Sequence, residues 1–170
     1  MQKAIIFRKA EKEDFERIWQ IILEAKEQMR QMNSKQWQES YPARENIAGD
    51  IAKEYAYVLC ENGEAIAYAA VIFSGEPAYN RIEGKWLTDF PYVVVHRLAV
   101  ADKKKNQGIA TFFMQQIEAF SRQKGMKSFR VDTNFDNVYM QKILCTLEFT
   151  YCGEIVYDQG RRRAYEKILK

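Results

Sequence analysis

Residues 96–110 read His96-Arg97-Leu98-Ala99-Val100-Ala101-Asp102-Lys103-Lys104-Lys105-Asn106-Gln107-Gly108-Ile109-Ala110. The first five close an apolar run that begins at Tyr92, the most hydrophobic stretch of the chain, which predicts a central strand. Residues 102–107 are a basic turn. From Gly108 the period changes. Ile109, Phe112, Phe113, Ile117 and Phe120 recur at three- and four-residue steps, the inner face of a helix that Gly125 stops. A helix amino terminus leaves backbone N–H groups without internal partners and carries a partial positive charge, so this junction is an anion site. Gly108 and the small Ala110 keep side-chain bulk away from an approaching phosphate. Lys103, Lys104 and Lys105 raise the local potential. The turn alone also reads as a solvated connection. It is not a Walker loop, because the Gly-Lys-Ser/Thr ending is absent. Nor is it a dinucleotide fingerprint, because two of its three glycines are missing.

Upstream, residues 3–8 suit a strand. Phe15, Ile18, Trp19, Ile22, Ala25 and Met29 then mark one face of a helix over about 12–32. Residues 35–42 read as a loop, and about 44–54 as a weaker helix. Strands over 55–61 and 65–73 flank Asn62-Gly63, a strong hairpin signal. Residues 74–91, with Gly75, Pro77, Gly84 and Pro91, are an irregular excursion. Downstream come a strand at 129–133, a helix at about 136–147 burying Met140, Ile143, Leu144 and Leu147, and strands at about 150–157 and 162–169 around the turn Asp158-Gln159-Gly160. No repeat or linker divides residues 1–170, which predicts a single α/β (α+β) domain.

The 170 residues are 47% apolar and 29% charged, an ordinary globular balance. A net charge of +3 does not argue for nucleic acid, although Arg161-Arg162-Arg163 and the lysine run are locally basic. Three cysteines, Cys60, Cys145 and Cys152, lack metal-type spacing and are an odd number for a disulfide scaffold. One histidine excludes a histidine-rich metal site. No metal is expected. The amino-terminal run lacks the long apolar core of a signal peptide, and no stretch approaches the ~20 apolar residues of a membrane span. The expectation is a cytoplasmic protein without a membrane partner.

Lys105, Gly108 and Ala110 occupy the three positions of Arg/Gln-x-x-Gly-x-Gly/Ala, and the chain here resembles the coenzyme A motif of the GNAT superfamily of N-acetyltransferases. Lys105 departs from Arg/Gln but stays cationic. Asp132-Thr133-Asn134, Asn137, Met140, Leu147-Glu148-Phe149 and Tyr151-Cys152-Gly153 resemble the family's closing strand–helix–strand segment. The resemblance implies a mixed, mostly antiparallel central sheet of about seven strands, flanked by about four helices, with splayed central strands. It implies acetyl-CoA as cofactor. Leu98, Ala99 and Val100 would pair with the pantetheine arm. Asn106, Gln107, Gly108, Ile109, Ala110 and Thr111 beside Lys105 would hold the pyrophosphate. Asn134, Asn137 and Met140 would add cofactor contacts, with Asn137 also suited to cap a helix.

The resemblance further implies direct attack by the primary amine of a small molecule, amino acid or peptide in a ternary complex, and a homodimer through the carboxy-terminal strands. The oxyanion would face a backbone N–H at Leu98 or Ala99. His96 is the candidate base, because imidazole is the side chain best suited to exchanging a proton near neutral pH. Glu83 and Asp89 are alternatives. Many family members carry a tyrosine acid where this chain has Leu144, and Glu148 replaces a family glycine, so no acid is assigned. Trp37, Tyr41 and Trp86, with Tyr79 and Tyr92, are candidates for the acceptor pocket, although each can equally close the core beneath a loop. A non-catalytic acyl-CoA-binding module is the alternative reading.

Overall fold

The two-residue signal Asn62-Gly63 adopts left-handed backbone at both positions, φ 54° and 78°, as a tight hairpin turn requires. It joins β2 (Ala56–Glu61) to β3 (Glu64–Ile72) in antiparallel register. The structure is a computed structural model describing residues 4–38 and 40–170. Lys3 of the predicted first strand and Glu39 of the predicted loop lie outside the described residues.

The remaining elements are β1 (Ile5–Lys9), α1 (Phe15–Gln31), α2 (Arg44–Ala52), β4 (Glu83–Gly84), β5 (Tyr92–Val100), α3 (Ile109–Gln123), β6 (Ser128–Asn134), α4 (Val138–Thr146), β7 (Thr150–Tyr157) and β8 (Gly160–Ile168). The strands order as β1-β2-β3-β5-β6-β8-β7-β4, an open mixed sheet. Eight strands replace the expected seven, because the excursion contributes β4. Single glycine positions do not announce a two-residue strand.

The chain's internal contacts resolve into two units. One runs up to Val71 and includes His96–Gln116, and the other comprises Ile72–Val95 and Ile117–Lys170. In the first, Ile18, Ile21, Ile22 and Ala25 of α1 pack with Ile47, Val58 and Tyr68, as the helical period predicts. In the second, Tyr79, Val94, Ile155 and Ala164 form a core cluster.

β5 pairs with β6 in parallel, and the register holds for three pairs, Tyr92↔Ser128, Val93↔Phe129 and Val94↔Arg130. β5 continues to Val100 and β6 to Asn134. Three residues after this register ends, Arg97 has φ 58°. Among the described non-glycine residues with positive φ, it is the one inside a strand. A left-handed L-residue costs about 1–2 kcal/mol. Left-handed backbone at one residue changes the direction of the strand at that point.

β4 reaches β7 through a glycine pair, Gly84↔Gly153. Their φ values are 140° and 144°. A Cβ on Gly153 would lie 2.3 Å from the Glu83 carbonyl oxygen, and one on Gly84 would lie 2.2 Å from that of Cys152. Gly153→Ala is therefore expected to cost about 1–3 kcal/mol. A melting temperature within 1 °C of the parent would contradict this.

Candidate functional site

The turn after β5 opens with one helical turn at Asp102–Lys104 and then passes through two left-handed residues, Asn106 (φ 61°) and Gly108 (φ 74°). Gly108 starts α3, since Phe112 N donates to the Gly108 carbonyl at 2.9 Å. The N–H groups of Ile109, Ala110 and Thr111 thus fall in the first turn, where a helix has no internal acceptors. Asn106, Gln107 and Gly108 are exposed. A Cβ built on Gly108 meets nothing within 4 Å, so open space lies against this backbone. These residues fit an anion such as a pyrophosphate.

The lysines contribute less than their number suggests. Lys104 Nζ donates to Glu61 at 2.7 Å and Lys105 Nζ to Asp102. The Asp102 N–H is itself held by Glu24 at 3.0 Å. Carboxylates three residues and tens of residues away offset these charges, and only the nearer one shows as a sequence spacing.

His96 is half-buried on β5, next to the left-handed Arg97. Leu98 and Val100 are half-buried, and Ala99 is buried. Arg97 is fixed on all sides. Its Nε and Nη2 donate to the two Asp50 carboxylate oxygens at 2.8 and 2.6 Å, and its Nη1 donates to the Tyr41 hydroxyl at 2.8 Å. The Tyr68 hydroxyl donates to Asp50 as well. Burial opposes the charge on Arg97, but the bonds to Asp50 and the nearby Tyr41 outweigh it and raise the guanidinium pKa. Burial, then Asp50, raises the Tyr68 phenol far above its ordinary range and keeps it a donor.

Of the candidate acceptor aromatics, Tyr41 belongs to this cluster. Trp37 is 7% exposed and packs in the core with α1. Trp86 lies in the other unit, half-buried, where its Nε1 donates to the Tyr79 carbonyl at 2.9 Å. Arg130 sits over its ring at 4.4 Å and over that of Tyr92 at 4.1 Å.

Two further polar centres occupy this second unit. Asp132 Oδ2 accepts from the hydroxyls of Tyr79 at 2.6 Å and Tyr157 at 3.0 Å. Burial and the carboxylate raise both phenols, which therefore stay protonated. Glu166, fully buried, accepts from Leu87 N at 2.6 Å, Thr88 Oγ1 at 2.8 Å, Arg130 Nε at 3.2 Å and the Ser128 hydroxyl. The excursion also lines a cavity of about 410 Å³ that includes Phe73, Glu76, Asn80, Asp89, Phe90 and Tyr92. Two carboxylates beside three aromatic rings suit a cationic amine.

Asn137 caps α4, its side chain accepting from Met140 N at 3.0 Å. Both ends of the Asn134 side chain are taken, by Arg162 and Asp136, each at 2.6 Å. Met140 is half-buried. Leu144 is fully buried and Tyr139 is 49% exposed, so neither offers an acid on the inner face of α4. Glu148 takes φ 67° in the closing turn, a left-handed conformation that favours glycine. The turn is intact, with Phe149 N donating to the Leu144 carbonyl at 2.9 Å.

The sequence profile described as "Acetyltransferase (GNAT) family" matches residues 6–144. The chain belongs to the GNAT family. A GNAT acetyltransferase from Streptococcus agalactiae is 38% identical over 98% of this chain and 96% of its own, with a TM-score of 0.90. Two more distant structures share the GNAT fold. The ribosomal-protein-S18-alanine N-acetyltransferase of Escherichia coli is 13% identical over 98% of this chain and 95% of its own, with a TM-score of 0.66. An agmatine N-acetyltransferase mutant in its apo form is 16% identical over 97% and 99%, with a TM-score of 0.68. No curated protein matches the chain.

Arg97, Asp50, Tyr68, Asp132, Tyr157, Arg130 and Glu166 were not readable as site residues. Their hydrogen-bond partners lie between 18 and 79 positions away, as for Tyr68 with Asp50 and Glu166 with Leu87. A polar residue inside an apolar strand, as Arg97 and Arg130 both are, is the one local signal that could have found them.

Proposed function

We propose that this GNAT protein transfers an acetyl group from acetyl-CoA to a primary amine by direct attack in a ternary complex. The observation that carries the reading is the single strand–turn–helix that joins β5, left-handed at Arg97, to an exposed, glycine-started helix end. The N–H groups of the 105–111 segment would hold the pyrophosphate. Leu98, Ala99 and Val100 would pair with the pantetheine, and Asn134, Asn137 and Met140 would add contacts, Asn134 through its backbone. Bound acetyl-CoA supplies the activated acyl group. A backbone N–H at Leu98 or Ala99 would face the developing negative charge. His96 would take the proton from the acceptor nitrogen.

The acceptor is an amine, and the cavity of the excursion, with Glu76 and Asp89, supports a cationic one. The distant structures do not choose among acceptors, since one is named for agmatine and another for a protein alanine. The three free cysteines fit a reducing compartment.

Calorimetry with acetyl-CoA and a thiol-release assay over amines and amino-terminal peptides test the proposal. Ligand at 100 times its Kd should stabilise the fold by about 2.7 kcal/mol. Absence of binding at millimolar acetyl-CoA would sink it. The buried Leu144 favours one second reading, an acyl-CoA-binding module without catalysis. Binding without thiol release on any acceptor would support that instead.

His96→Ala is expected to lower kcat by about 10²–10⁴-fold and to leave acetyl-CoA affinity in place. Turnover at the parental rate on an accepted amine would remove His96 from the mechanism.

A further inference from the structure

We propose that Asp50 and Arg97 form a clamp that sets the left-handed backbone of β5 at Arg97, and that both are positioning residues for the acetyl transfer proposed above, on which this inference rests. Arg97 combines two unfavourable features. Its backbone is left-handed inside a strand, and its charge is 13% exposed against a carboxylate 5% exposed. A buried ion pair adds little net stability over an apolar pair of the same shape. Strained backbone persists where its surroundings over-determine it. Here they do so. The planar guanidinium meets both Asp50 oxygens in a fork that allows one orientation. Asp50 is carried by α2 and bonded by the fully buried Tyr68 of β3, while Tyr41 holds the third guanidinium nitrogen. Three separate segments thus fix one side chain, and through it the Cα from which the strand turns.

The residues flanking Arg97 are His96, the candidate base, and Leu98, whose N–H is a candidate oxyanion donor. A rotation of the Arg97 backbone would move both. The clamp touches no reacting atom. It acts by holding these two groups at fixed positions.

Single removal of either charge leaves the other buried and is expected to lower stability. The informative variant is therefore the double Asp50→Leu/Arg97→Met, which removes both charges. It should melt closer to the parent than either single variant and lose about 10- to 100-fold in kcat. Amide exchange over residues 96–100 should accelerate. Arg97→Lys keeps the charge but not the fork, and should show the same loss and the same faster exchange. Parental kcat in either folded variant, or unchanged exchange over 96–100 in both, would overturn the clamp. If the parent acetylates no amine, the functional reading fails by itself, and the exchange measurement still decides whether the clamp exists.

Discussion

Gly108→Asp should weaken acetyl-CoA binding by about 100-fold, or ~2.8 kcal/mol. Aspartate is among the few side chains that tolerate left-handed backbone, and the space where its Cβ would sit is open. The fold should therefore survive. The carboxylate would face the first-turn N–H groups of α3, satisfy them internally and repel an incoming phosphate. Gly108→Asn separates charge from shape, since it shares the backbone tolerance without the charge. It should lose far less affinity. Calorimetry with acetyl-CoA on both variants measures the difference. Equal affinities for the aspartate variant and the parent would mean that the phosphates bind elsewhere.

Glu166→Ala should be the most destabilising change in the chain, at about 3–5 kcal/mol, because it leaves a buried cation without its partner. Arg130 is 7% exposed and Glu166 has no exposure. The substitution also removes the acceptor for the Leu87 N–H and the hydroxyls of Thr88 and Ser128. At this chain length the melting temperature should fall by roughly 10 °C. Residues 74–91 should become sensitive to limited proteolysis before the sheet does. Glu166→Gln keeps the shape and some of the bonds, and should fall between. A shift below 2 °C for the alanine variant would contradict the assignment.

The elements were legible because each announces itself locally. The period of α1, the Asn62-Gly63 turn and the glycine before α3 are signals within a few residues. The turn at 102–108 was readable for the same reason. The polar centres were not, because they join positions distant in sequence. Asp50 meets Arg97 across 47 residues, and Leu87 meets Glu166 across 79. The lysine run shows the opposite failure. Its three charges are visible in the sequence, whereas the Glu61 partner 43 residues away is not. The burial of Trp37 was not legible, because an aromatic in a loop looks the same in sequence whether it faces a pocket or closes a core.

The excursion is fastened largely through its backbone. Lys85 N bonds to the Cys152 carbonyl at 3.0 Å, Leu87 N to Glu166 at 2.6 Å, and the Thr88 carbonyl accepts from Arg130 at 2.5 Å. The side chains of Lys85, Leu87, Asp89 and Phe90 are exposed. Attachment and surface chemistry are therefore encoded separately. Such a segment can drift in sequence at its exposed positions without loosening from the sheet, provided that Gly84, Gly153, Arg130 and Glu166 stay. Relatives that keep these four residues are natural donors for loop exchange.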